Sequence, residues 1–187
     1  MKKESAMKAG GRQIVETSHV KFITITSLAV ALTYVFTAFV NLRLPIAANG
    51  GLIHLGNVPL FIFAILFGKK TGAIAGGIGM ALFDLLSGWT AWAPFTLVIV
   101  GLMGYCTGAV TEKKKNFVSY SCAMLLALLI KIAGYYIAEG LIYGNWAAPA
   151  ASIPGNVVQV AAAMVIVMIV IVPLQKAASQ ILSEESR

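Results

Sequence analysis

The chain alternates long apolar runs with short polar or charged interruptions, and the runs are too continuous for the half-buried elements of a soluble domain. Divided at charges and at Gly, Pro and Asn clusters, they predict helices near 21–40, 57–68, 71–87, 94–111, 117–139 and 154–174. Crossing a hydrocarbon core takes about 20 apolar residues. The second run falls short: Gly56 to Gly68 is 13 residues, about 20 Å of helix at 1.5 Å per residue. The preceding stretch, NLRLPIAANGGLIHLGN at 41–57, is mildly apolar and suits a loop that folds back into the outer leaflet. Irregular backbone survives at that depth only where protein buries it or it lines a wet cavity. The pattern therefore predicts an all-α membrane protein, a bundle of six transmembrane helices, with a long first extracellular loop roofing a cavity.

Composition strengthens this reading: 59% of the 187 residues are hydrophobic and 11% are charged, outside the balance of a soluble globular domain. There is room for one helical domain, 21–175, between polar segments at 1–20 and 176–187. A net charge of +7 suggests nucleic acid only where the basic residues form a stripe. Here they cluster between apolar runs, so no nucleic acid is expected. Lys2, Lys3, Lys8, Arg12, Lys21, Lys69, Lys70, Lys113, Lys114, Lys115, Lys176 and Arg187 share one face, 12 of the 14 basic residues. The excess of cytoplasmic Lys and Arg then puts both termini inside. The first 20 residues lack an apolar stretch before a small-residue site, so no cleavable signal is expected. Cys106 and Cys122 read as reduced packing residues near the inner helix ends.

Small residues recur at four-residue spacing: Gly68, Gly72 and Gly76, continued by Gly77 and Ala81, then Gly104 and Gly108. This spacing lets helix backbones approach closely. It serves tight packing in the bundle or a groove for a partner helix. A row on the first span, Ala29, Thr33 and Thr37, could do either.

Charges within a bilayer are costly and mark functional sites with a nearby partner. Asp84, Lys131 and Glu139 qualify. Lys131, Tyr135 and Glu139 recur every four residues and so share one helix face, as do Asn156 and Gln159. Trp89, Trp92 and Thr96 flank the start of the fourth span, and the roof loop supplies Asn49, His54 and Asn57. All these groups fall in the outer half, whereas the inner half is aliphatic, as in AAAMVIVMIVIV. A polar, aromatic-rimmed cavity closed at its inner end is a binding site and not a pore. Plainer readings stand beside this one: the aromatics as an interfacial belt, Lys131 as a structural counter-ion, and His54 as a loop residue satisfied by backbone. The chain has no HExxH or GxSxG motif, and residues 68–71 (GKKT) lack the upstream glycine of a phosphate loop, whose place Phe63 takes. Neither catalysis nor ATP hydrolysis is expected of this chain, and no cofactor or metal.

The stretch 51–108 carries a resemblance. Its HLGN entry to the second span, FGKKTGAIAGGIG, the DLLSG exit of the third span and the APFT start of the fourth resemble the substrate-binding S components of energy-coupling factor (ECF) vitamin transporters, nearest the branch for pyridoxine or hydroxymethylpyrimidine, the thiamine precursor. The resemblance implies a binding subunit without its own energy source. It would assemble with a transmembrane T component and two ATP-binding cassette ATPases, and carry an occluded vitamin inward by toppling. It also implies docking through small residues on the first span, where Ala29 is followed by Thr33 in place of a second alanine. The implied ligand is a small uncharged heteroaromatic ring with hydroxymethyl groups, stacked on Trp or Tyr. The alternative from another class is a self-contained proton-coupled carrier using Lys131 and Glu139; it predicts internal inverted repeats, which the sequence does not display.

Overall fold

The computed structural model describes the backbone of residues 2–43 and 52–184, and side chains over 19–41 and 53–179. Six helices carry the fold: α1 (Lys2–Phe39), α2 (Asn57–Phe67), α3 (Lys69–Leu86), α4 (Ala93–Lys113), α5 (Phe117–Tyr143) and α6 (Ile153–Glu184). Four of them contain segments long and apolar enough to cross a membrane: His19–Phe39, Ala93–Lys113, Phe117–Tyr143 and Ala148–Ser179. The expected boundaries hold within a few residues for α2 to α5. The terminal helices run further than the apolar pattern, because the polar segments on either side continue the same helical backbone.

α2 has 11 residues, about 16 Å of helix, so the shortness read from the sequence is real. It meets α3 through Gly68 alone, whose φ of 87° is a left-handed value that only glycine adopts cheaply. The link is pinned across the bundle. Glu112, at the end of α4, accepts the Lys69 backbone N–H at 3.1 Å and its ammonium at 2.9 Å.

Between α1 and α2 the chain forms a small antiparallel hairpin, not anticipated from its Gly- and Pro-bearing sequence. Strands β1 (Asn41–Arg43) and β2 (Leu52–His54) pair Asn41 with His54 and Leu42 with Ile53. Leu55 N–H continues the tie by donating to the Val40 carbonyl at 3.0 Å. His54 is thereby held over one end of the bundle. Residues 44–51 lie outside the described residues, so the expected roof, and Asn49 within it, carry no structural statement.

The glycine spacing is used where α3 crosses α4. A Cβ on Gly72 would stand 2.7 Å from the Gly104 carbonyl oxygen, and one on Gly76 2.8 Å from that of Val100. Backbones this close leave no volume for side chains, which is the packing reading of the small-residue spacing. Around this seam Leu60, Phe61, Val100, Met103, Tyr120, Met124, Val160 and Val167 form the core.

The α1 row points the same way, inward. Ala29, Thr33 and Thr37 are 0%, 0% and 1% exposed, and a Cβ on Gly79 of α3 would stand 2.8 Å from that of Thr33. Of the two uses that the spacing allows, this burial supports packing of α1 against α3. The exposed face of α1 carries Ser27, Leu28, Ala31 and Val35 instead.

Candidate functional site

At the hairpin end of the bundle, the last turn of α3, the first turns of α4 and α6, and the middle of α5 surround a cavity of about 90 Å³. Ten of the sequence-derived candidates line it: His54, Asp84, Trp89, Trp92, Thr96, Lys131, Tyr135, Glu139, Asn156 and Gln159. Phe83 and Ser152 join them without having been expected. Asn57 does not line the cavity. It is fully buried at the start of α2, and neither side-chain polar atom has a hydrogen-bond partner among the described residues.

α5 supplies the polar stripe. Lys131, Tyr135 and Glu139 recur every four residues, so one helix face carries all three. Lys131 is 2% exposed; its ammonium donates to Gln159 Oε1 of α6 at 2.9 Å and sits 5.9 Å from the Tyr135 ring centroid. Its hydrogen-bond partner is thus a neutral amide, while the Asp84 carboxylate of the plainer reading acts on it through space. Tyr135 shares a hydrogen bond of 2.9 Å with the Thr96 hydroxyl, and Thr96 in turn reaches the Asp84 carboxylate. The chain of contacts runs from α3 through α4 to α5.

His54 enters from β2. Its Nδ1 accepts the Gly56 N–H at 3.3 Å. Burial, with the Lys131 charge a smaller contribution, pushes its pKa from 6.5 down to about 3. The imidazole is neutral at physiological pH, and with Nδ1 accepting, the proton belongs on Nε2. Backbone satisfaction of His54 and its place at the cavity are both observed.

The aromatic rim divides in two. Trp89 and Trp92 meet edge to face at 5.2 Å, and Trp92 meets Tyr143 at 5.8 Å. Trp146 stands outside the cavity: it is 54% exposed and lies over Gly140, where a Cβ would stand 2.5 Å from its ring. Its carbonyl accepts the Tyr136 hydroxyl at 2.6 Å.

The opposite half of the bundle is closed by aliphatic packing, with polar groups used internally. Thr107 and Thr111 hydroxyls bond backbone carbonyls in their own helix, and Gln175 donates to the Tyr120 hydroxyl at 2.6 Å. A site open at one end and sealed below suits binding better than conduction.

Comparison with known proteins places the chain in a family. The family described as ECF-type riboflavin transporter, S component, matches residues 17–176. The thiamine precursor transporter HmpT of Lactococcus lactis subsp. cremoris (strain MG1363) is 34% identical over 148 residues, 79% of this chain and 84% of the relative. An uncharacterised protein of Pyrococcus woesei is 34% identical over 102 residues, 54% of this chain and 68% of that one. The S component of a bacterial ECF transporter shares the fold, with a TM-score of 0.65 at 17% identity over 88% of this chain and 98% of that chain. Because the family match spans α2 to α5 whole, the membrane-length part of α1, most of α6 and every cavity residue named above, this membrane protein belongs to the S components of ECF transporters.

Proposed function

We propose that the chain is the capture subunit of an ECF-type importer, binding one small vitamin or vitamin precursor, with hydroxymethylpyrimidine or pyridoxine as the leading ligands. The observation that carries this reading is the small polar cavity at the hairpin end. Its volume of about 90 Å³ is below the ~150 Å³ that holds a benzene molecule. A single small ring is the ligand whose size comes nearest to this volume. Trp89 and Trp92 offer faces or edges for stacking, while Lys131, Asp84, Glu139, Asn156, Gln159 and neutral His54 present donors and acceptors to ring nitrogens and hydroxyls. The relative HmpT, named for a thiamine precursor, supports the pyrimidine.

In this proposal the chain crosses the bacterial plasma membrane six times, with α2 and α3 completing a pair and both termini in the cytoplasm. The support is the sequence pattern, in which 12 of 14 basic residues fall in segments that the apolar runs assign to one face. The cavity then faces outward. Lacking a nucleotide-binding motif, the chain draws its energy from partners, a transmembrane T component and two ATPases, and meets them through surfaces other than the inward row of α1.

The test is calorimetric titration of the purified chain against a panel of water-soluble vitamins and precursors. Tight binding of a single-ring compound is expected, and failure of every panel member to bind would remove the proposal. Co-purification with a T component and two ATPases checks the assembly. Uptake by the chain alone in proteoliposomes would favour a self-contained carrier.

A further inference from the structure

Two polar atoms next to the cavity are buried and have no hydrogen-bond partner among the described residues: Glu139 Oε2 and the Tyr143 hydroxyl oxygen. They are four residues apart on α5 and therefore on one face, and the Tyr143 ring lies 5.8 Å from that of Trp92. Glu139 is 3% exposed. The Ser152 hydroxyl reaches the Glu139 carboxyl but donates to the Pro149 carbonyl at 2.9 Å, the Lys131 ammonium donates to Gln159 two turns away, and Oε2 is left without a partner among the described residues.

A buried acceptor without a donor costs about 1–3 kcal/mol, more when it is charged. Such a group is rare in native proteins and calls for an explanation. The adjoining cavity provides one: a ligand that fills it can bring the donor that this oxygen lacks. The charge pattern narrows the donor further. Two carboxyl side chains, Asp84 and Glu139, line the cavity against one ammonium, Lys131. This lining favours a ligand edge rich in N–H groups and disfavours an anionic one.

We propose that Glu139 is the specificity-determining residue of the site, its Oε2 accepting from the exocyclic amine of an amino-substituted nitrogen heteroaromatic ring, with Tyr143 as a second contact at the same edge and Trp92 beside the ring. The inference rests on the single-ring reading above and selects within it: an aminopyrimidine edge, with an amine next to a ring nitrogen, over a ring of the same size whose edge lacks the amine.

The experiment titrates three probes into the purified chain: 4-amino-5-hydroxymethyl-2-methylpyrimidine, the same compound with hydrogen in place of the amine, and pyridoxine. The amine is expected to raise affinity at least about tenfold, the scale of a hydrogen bond to a charged acceptor. Glu139→Gln is then expected to erase most of that difference, lowering the affinity for the aminopyrimidine far more than that for the des-amino compound, with melting curves reporting the fold. Equal affinity for the amino and des-amino compounds, or for pyridoxine and the aminopyrimidine, overturns the inference and leaves the capture function standing. A uniform loss on both pyrimidines in Glu139→Gln also overturns it. Binding of none of the three overturns the inference together with its ligand reading.

Discussion

The Lys131 ammonium donates to Gln159 Oε1 at 2.9 Å, joining α5 to α6 across the floor of the cavity. A buried ammonium held by a neutral amide keeps its charge largely uncompensated by its direct partner, which is expensive for stability and useful for a ligand. Lys131→Met is accordingly expected to leave the melting midpoint in detergent unchanged or raised, while ligand affinity falls at least about tenfold, near 1.4 kcal/mol. A parallel fall of both quantities would assign the lysine to structure alone.

The two classes of tryptophan make an internal control. Trp92→Ala is expected to weaken binding by at least about tenfold, because its ring lines the cavity between Trp89 and Tyr143. Trp146→Ala, outside the cavity over Gly140, is expected to leave affinity within about twofold of the parent. Equal effects would return Trp92 to the interfacial belt.

Glycines along α3 and α4 are not equivalent. An added Cβ at Gly104 would stand 2.9 Å from the Ala73 backbone nitrogen and closer still to Gly72, whereas at Gly101 the nearest atom is 3.6 Å away. Gly104→Ala is therefore expected to lose about 1–3 kcal/mol, the range for overpacked interiors, and Gly101→Ala to be neutral or slightly stabilising. Thermal unfolding of both variants in the same detergent reads the contrast.

His54 sets a pH dependence of stability. Its pKa in the fold, about 3, lies below the ordinary 6.5, so the unfolded chain takes up the proton first as pH falls. Stability present above pH 6.5 is lost progressively between 6.5 and 3. The melting midpoint should drop on acidification through that window, and His54→Gln should drop less. Identical curves would show that His54 makes no contribution.

Most of the site could be inferred because polar groups in apolar helices have few innocent places to go. Lys131, Tyr135 and Glu139 follow helical periodicity, and Asp84 interrupts a run that would otherwise be wholly apolar; each signal is local. What escaped depends on neighbours. Phe83 and Ser152 reach the cavity through the ends of α3 and the 3₁₀ turn Ala148–Ser152, and nothing in their own types marks them. Four-residue spacing placed Ala29, Thr33 and Thr37 on one face of α1 but could not say which helix that face meets, since the opposite face also carries small residues, Ser27 and Ala31. The hairpin was hidden because its strands have three residues each, too few for alternation to register.

α3 meets α4 along a seam of glycines, and such a seam governs how the cavity can change shape. Side-chain interfaces yield by trading rotamers, but backbone against backbone has none to trade. The Lys69–Glu112 contact ties the start of α3 to the end of α4 beside the one-residue link at Gly68, so the seam resists sliding at that end. Accommodation of different rings then falls to the flexible lining, the torsions of Trp89, Trp92, Lys131 and Glu139. The breadth of ligands accepted is thus a matter of how many rotamers those four side chains can combine, while the helical wall behind them keeps its shape.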